Sequence, residues 1–284
     1  MSKIIACIDG SVYTASVCDY AAWVAPALET EVELLHVLGR RQVTSVPANL
    51  SGNLSVNDQD SLLHELAEHD ERHAKLAQQR GRLILDEAKA RLAKAGIERV
   101  TPRLRHGDLL DSLREIEADA AVVIIGKRGE AADFAKLHLG SNLERVARAS
   151  TRPLLVAARA FRQPTRLLIA YDDGPSARKA VAHVAKSRLL KDLSCRLLMV
   201  GADQSNMRER LEDAAGQLRG AGYAVDADIL PGAPDEVIAR EVERDGIDLL
   251  VIGAYGHSRI RRLMIGSTTS AMVRSCKVPV LMFR

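Results

Sequence analysis

An internal repeat constrains this chain more than any other feature. "KIIACIDGS" begins at residue 3 and resembles "RLLIAYDDG", which begins at residue 166, so that Asp9 corresponds to Asp172. "VELLHVLG" and "CRLLMVGA" match in the same way, with Val37 opposite Val200. Further matches follow in the same order: 104–113 with 229–238, 119–129 with 247–256, and 150–159 with 275–284. Ordered self-similarity of this kind indicates a duplication, so we expect the two halves to superimpose as copies of one fold.

Each copy alternates short apolar runs with stretches of helical periodicity. The runs are almost continuous in Ile, Val, Leu and Ala, which is typical of strands covered on both faces. Helical patterns follow at 176–191 and at 80–96, the second ending at Gly96. This alternation predicts a parallel α/β sheet. We therefore expect two tandem Rossmann-like domains, each with about five parallel strands and helices on both faces.

The two copies divide the chain near "AFRQPT" (160–165), which contains a proline between two apolar runs. The predicted domains are 1–159 and 165–284. The first carries an extra segment at about 39–75, whose start is rich in Ser, Asn and Gly and is typical of a loop. "SLLHELAEHDERHAKLAQQ" then continues this segment as a predicted helix.

The composition narrows the class of protein. Aromatic residues make up 3% of the chain, too few for a protein that stacks nucleic-acid bases on rings, and the net charge of +3 is small. The four cysteines form no CxxC pair and predict reduced thiols in a cytoplasmic protein. No apolar run approaches the length of a membrane span, and the chain begins without a signal-peptide pattern. We expect no membrane and no nucleic acid among its partners.

Three glycines follow the apolar run near the C-terminus. Gly253 and Gly256 allow a sharp turn and a close approach of the backbone to a ligand. Gly266 is followed by Ser267, Thr268 and a helical pattern, and a helix start with free N–H groups favours anions. A loop with glycine turns and a Ser/Thr helix cap explains the same residues, and the spacing alone leaves both interpretations open.

The spacing Gly-x2-Gly-x9-Gly-Ser resembles the ATP-binding motif of the universal stress protein family, and the resemblance covers almost the whole chain twice. It implies a fold of the adenine nucleotide α-hydrolase type, in which the Asp and Val positions line the adenosine while glycines and hydroxyls cradle the phosphates of ATP, often with magnesium. It also implies a stress-response role without dedicated catalysis, and a homodimer of four domains. Carried over by position, the site consists of Asp172, Val200, Gly253, Gly256, Gly266, Ser267 and Thr268.

Both copies depart from the family pattern. Where the first strand usually ends in Asp-Gly-Ser, copy two reads Asp172-Asp173-Gly174, and a second carboxylate could alter the fit. Copy one has ten residues rather than nine before its third glycine, and its spacer includes the acidic Glu130 and Asp133. The copy-two spacer has three arginines and no acid. Because added anions disfavour a triphosphate, the weaker site is in copy one: Asp9, Val37, Gly126, Gly129, Gly140 and Ser141.

Other polar residues offer weaker candidates. His69 and His73 have a spacing that can hold a metal, but solvated helix residues explain them better. His106 could act as a base, but the sequence shows no nucleophile near it. His257 follows the second motif glycine, and a phosphate contact or a surface position explains it equally well. We therefore predict no catalytic residue and no protein metal site. A slow magnesium-dependent ATPase and a nucleotide-free interaction scaffold are the alternative functions.

Overall fold

A computed structural model of the chain describes residues 2–39, 56–128, 141–253, 273 and 276–284; for 56–63 and Ser141 it describes the backbone alone. The strands of this described part form one ten-stranded sheet in the order β3-β2-β1-β4-β5-β10-β9-β6-β7-β8. Their bounds are β1 Lys3–Cys7, β2 Glu31–Leu38, β3 Val100–His106, β4 Ala120–Gly126, β5 Leu154–Ala157, β6 Arg166–Ala170, β7 Ser194–Val200, β8 Val225–Leu230, β9 Leu249–Gly253 and β10 Val280–Phe283.

The two halves of the sheet repeat one strand order. In the N-terminal half β1 lies between β2 and β4, and in the C-terminal half β6 lies between β7 and β9, all in parallel. Asp9 and Asp172 follow these equivalent strands. The predicted α/β class is confirmed, and within each half all the strand pairs are parallel.

Helices cover both faces of the sheet. One apolar cluster packs beneath α1, α2, α5 and α6, and a second packs beneath α3, α4 and α7. The helices are α1 Thr14–Leu28, α2 Val56–Lys94, α3 Leu109–Ile116, α4 Ser141–Ala149, α5 Pro175–Lys186, α6 Ser205–Gly220 and α7 Pro234–Arg244.

Helix α2 differs from the sequence expectation. The two helical patterns that we treated as separate stretches form one helix of 39 residues, against 16 residues in the corresponding α6. Gly81 lies within it at the point where the helix meets the sheet: a Cβ atom there would come within 2.8 Å of Leu104 and 3.0 Å of His36. The glycine therefore lets Leu104 and His36 pack closely against the helix, and it does not break the helix.

The last strand of each half joins the two halves. β5 and β10 pair in antiparallel orientation, with Leu155 opposite Leu281. Both strands are fully buried. The matched segments 150–159 and 275–284 thus supply the strands that pair with each other, and the pairing leaves neither strand as an open edge.

None of the helices in the described residues is long and apolar enough to cross a membrane.

Candidate nucleotide site

Three of the predicted copy-two residues meet at one edge of the sheet. β6 pairs with β7 on one side and with β9 on the other, so Asp172, Val200 and Gly253 end or follow three adjacent strands. The side chain of Asp172 is exposed and that of Val200 is half-buried. The strand order reverses between β6 and β9, which is where open α/β sheets bind ligands.

Gly253 is needed for packing between a strand and a helix. A Cβ atom at this position would lie 2.5 Å from the backbone nitrogen of Ala177 and 2.8 Å from the carbonyl carbon of Ser176. Both belong to the first turn of α5, so that turn packs directly against the end of β9. The contacts described at Gly253 are thus with the backbone of α5, and the approach to a ligand stays a prediction.

The second carboxylate of copy two is already neutralised. Arg178 donates to both oxygens of Asp173, each at 2.8 Å, and the hydroxyl of Tyr171 donates to it at 2.9 Å. Arg210 adds an ion pair at 3.2 Å. The hydrogen bond from Arg178 holds the pKa of Asp173 below its usual range. The exposed Asp172, which accepts from the backbone N–H of Gly174 at 2.9 Å, remains at the ligand edge.

In copy one the corresponding glycine packs against a side chain. A Cβ atom on Gly126 would lie 2.6 Å from Cβ and 3.0 Å from Cγ of Tyr13. Tyr13 belongs to the connection between β1 and α1, at whose start the backbone N–H of Ser11 donates to Asp9. Asp9 and Val37 are half-buried at this edge.

The connection between β1 and α1 in copy one is longer than the one between β6 and α5 in copy two. Seven positions separate Asp9 from the buried Ser16, whereas four separate Asp172 from the buried Ser176. Ser16 and Ser176 both lie in the first turn of the helix that follows. Aligning the buried helix residues, instead of extending the strand match, reveals the three added residues that carry Tyr13.

The two copies also differ at the start of the helix that follows their third strand, where copy one has a capping carboxylate. Asp108 caps α3 and accepts from Arg145 of α4 at 2.6 Å and 3.0 Å. The hydrogen bond from Arg145 lowers the pKa of Asp108. α4 is the helix that begins at Ser141, the last member of the copy-one set. Copy two has Ala233 at the position before α7, so its α7 lacks this capping carboxylate.

A buried lysine connects the copy-one edge to the other half. Lys127 directly follows Gly126, is 7% exposed and donates to the carbonyl oxygen of Cys276. Burial lowers the pKa of Lys127 and raises that of the Cys276 thiol. The side chain therefore bridges the two halves at the point where a phosphate-binding loop of copy one would begin.

The remaining predicted residues lie outside the described part of the chain, namely Gly129, Gly140, Gly256, His257, Gly266, Ser267 and Thr268. His69 and His73 are exposed on α2 with their rings stacked at 6.2 Å. His106 is exposed at the end of β3. Across the described ranges, no group of three or more His, Cys, Asp or Glu side chains is arranged to hold a metal ion.

The fold and this edge define a duplicated α/β protein of the Rossmann-like class. The family model of the universal stress protein family matches residues 1–158 and 196–284. The chain is 40% identical over 287 aligned residues to universal stress protein Slr1230 of Synechocystis, covering 100% of both chains. It belongs to the universal stress protein family.

Solved structures share the fold at low sequence identity. A universal stress protein from Archaeoglobus fulgidus DSM 4304 has a TM-score of 0.74 at 18% identity, covering 99% of this chain and 98% of that chain. A structure from Pseudomonas aeruginosa UCBPP-PA14 has a TM-score of 0.64 at 16% identity, covering 100% and 93%. The fold of this chain thus recurs over most of the length of other chains.

Proposed function

We propose that this protein binds ATP or a related adenine nucleotide, mainly at the carboxyl edge of its C-terminal half, and acts as a nucleotide-responsive stress protein. The observation that carries the proposal is the contrast between the two edges. In the C-terminal half Asp172 is exposed and its neighbour Asp173 is neutralised by Arg178. In the N-terminal half Asp9, which corresponds to Asp172, is half-buried.

The residues of copy two suit an adenine nucleotide. Asp172 offers acceptors for ribose hydroxyls, and Val200 offers apolar contact for the base. Gly266, Ser267 and Thr268 have the spacing at which backbone N–H groups and hydroxyls bind phosphate. Magnesium, when bound with ATP, would offset the charge of the triphosphate. The three arginines between Gly253 and Gly266 act in the same direction.

Two measurements test nucleotide binding. Mass analysis of small molecules released from the purified, denatured protein should detect an adenine nucleotide. Calorimetry with ATP and magnesium should show that Gly266→Val abolishes binding, because a β-branched side chain would stand where the phosphates lie. Each lost charge-assisted hydrogen bond costs about 1.5–3 kcal/mol, which corresponds to roughly tenfold to hundredfold in affinity.

Gly140→Val is the matched control, since it makes the same change in copy one and should leave the affinity for ATP unchanged. If Gly140→Val removes binding and Gly266→Val does not, the nucleotide site is in copy one. The absence of binding to the wild type would favour the nucleotide-free scaffold. Phosphate release above the Gly266→Val background would favour the slow ATPase.

We also propose that the chain is cytoplasmic, that its domains are 1–159 and 165–284, and that two chains form a four-domain homodimer. The sequence pattern and the family resemblance support these assignments. Sedimentation velocity on the wild-type protein tests the dimer directly, and only monomer at micromolar concentration would contradict it.

A further inference from the structure

Helix α2 is much longer than its packing against the sheet requires. Its residues facing the sheet, Gly81, Leu85, Ala88 and Leu92, are buried. From 64 to 80 every described side chain is exposed or half-buried. The helix therefore continues for several turns beyond the part that packs on the core.

Two leucines project from the solvent side of this helix. Leu76 is 63% exposed and Leu83 is 68% exposed. They are seven positions apart, which places them on one face two turns from each other. Relative to Gly81, at 100° per residue, this face points away from the sheet. Large apolar side chains of comparable exposure are few among the described residues; Val12, at 50%, is the other.

We infer that this leucine face of α2 is where a second copy of the chain docks, with the two α2 helices antiparallel. The partner's Leu83 then packs on Leu76, and Leu76 packs on the partner's Leu83. This inference rests on the proposed homodimer and assigns its surface. The contact is the same patch on both copies, as a twofold axis requires, and it closes after two chains.

The charges around the leucines select a second copy and the antiparallel direction. Arg72 lies four positions before Leu76 and Glu87 lies four positions after Leu83. Glu65 and Lys94 lie at matching positions farther out, eleven on each side. In an antiparallel pair centred between residues 79 and 80, Arg72 lies level with the partner's Glu87. Glu65 likewise lies level with the partner's Lys94.

A parallel pair would reverse the electrostatics. Arg72 would meet the partner's Arg72 and Glu65 the partner's Glu65, and like charges repel. In the antiparallel pair Arg72 lies near the partner's Glu87 and Asp86. Arg72 already donates to Glu68 at 3.0 Å within its own helix, but its guanidinium has further donors. The long side chain of Arg80, near the axis, can extend its charged end to solvent.

Sedimentation velocity over about 1–100 µM protein tests the surface. Leu76→Glu combined with Leu83→Glu should convert the dimer to monomer, because both leucines are exposed and their loss leaves the core intact. Asn206→Glu combined with Gln217→Glu is the matched control: it places two acids at exposed positions of α6, in the other half of the sheet, and should leave the dimer unchanged. A dimer that persists in the double leucine variant would place the interface elsewhere.

Charge reversal tests the pairing. Arg72→Glu should weaken the dimer about tenfold or more, and adding Glu87→Arg to the same chain should restore most of it. The effect should shrink as salt is raised. If the second change weakens the dimer further, the two positions do not meet.

Spin labels test the direction. A label at Gln79, near the axis, should lie within about one helix-to-helix spacing of its copy, around 10 Å between axes. A label at Glu65 should lie roughly 40 Å from its copy, from the 1.5 Å rise per residue. A short Glu65 distance would show a parallel arrangement and overturn the inference. A wild type that is monomeric throughout would instead contradict the dimer itself, whichever surface it used.

Discussion

At the scale of single residues, Gly253 has a packing role within the protein itself, independent of any ligand. A Cβ atom there would collide with backbone atoms of Ser176 and Ala177, which cannot rotate away. We expect Gly253→Ala to lower the free energy of unfolding by about 1–3 kcal/mol, the usual cost of overpacking. Urea denaturation followed by circular dichroism measures this.

Gly216 is the control for this substitution. It lies exposed within α6, and a Cβ atom there would meet nothing within 4 Å. Gly216→Ala should therefore leave stability unchanged or raise it by about 0.5–1 kcal/mol, because alanine favours a helix interior. Equal effects of the two substitutions would show that the packing of α5 on β9 is looser than the distances indicate.

Asp173 gives the protein a pH-dependent contact at the ligand edge. Its pKa is lowered in the folded state, chiefly by the hydrogen bond from Arg178. The carboxylate therefore stabilises the fold above the pKa of an unfolded Asp, and this contribution is lost as the pH falls through the lowered folded value. Asp173→Asn should reduce stability at neutral pH, and the deficit should shrink in acid below about pH 3.9.

Urea midpoints of the wild type and Asp173→Asn between neutral pH and pH 3 check this. If the loss of stability in Asp173→Asn stays constant across this pH range, the stabilisation comes from the packing of the side chain and not from its charge. Asp203 provides a comparison, because it pairs with Arg208 at the exposed start of α6. Asp203→Asn should have a smaller effect at every pH, since exposed ion pairs contribute little.

At the scale of secondary-structure elements, α2 combines a packed end and an exposed end. Gly81, Leu85 and Leu92 hold its C-terminal part against the sheet, whereas 64–80 has no buried side chain. In the double leucine variant, which should be monomeric, amides of 64–78 should exchange hydrogen faster than those of 82–94. In the wild type the same amides should become more protected as protein concentration rises. Mass spectrometry of exchanged peptides checks both expectations. If the protection of these amides in the wild type does not change with protein concentration, docking at this face is contradicted.

The elements differ in how well the sequence predicts them. Strands such as Leu249–Gly253 are continuous apolar runs bounded by glycine, so their type and parallel pairing follow from composition. The continuity of α2 through Gly81 does not follow, because glycine ordinarily weakens a helix and only the contacts with His36 and Leu104 explain it.

The candidate site was predictable at the level of motif positions. Asp172, Val200 and Gly253 meet at one edge because equivalent strand ends in a parallel sheet do so. The contact of Tyr13 with Gly126 was not predicted. It depends on the side-chain direction of Tyr13 within a longer connection, and spacing between strand motifs does not report that. The neutralisation of Asp173 likewise depends on Arg178 and Arg210, which come from two different helices.

At the scale of the whole molecule, the two halves share more than a strand pair. β5 and β10 make the sheet continuous, and the cluster beneath α1 and α5 contains residues of both halves. Tyr20 of α1 packs edge-on against Phe161, with ring centroids 4.8 Å apart. Lys127 adds a buried hydrogen bond to Cys276. We therefore expect the halves to unfold together, although each contributes five consecutive strands to the sheet.

Trp23, the single tryptophan of the chain, lies in α1 and reports on the N-terminal half, while far-ultraviolet circular dichroism reports on both halves. In the wild type the two urea transitions should coincide, as two-state unfolding requires. Leu281→Pro should separate them, because β10 lies between β5 and β9 and a proline there removes one of its ladder hydrogen bonds. The dichroism should then begin to fall at lower urea than the Trp23 signal.

Leu281→Ala removes the same side chain but keeps the backbone N–H, so it should lower stability by about 2–5 kcal/mol while both signals still coincide. Coincident transitions in Leu281→Pro would mean that the buried contacts around Tyr20 and Lys127, and not the strand pair, couple the halves.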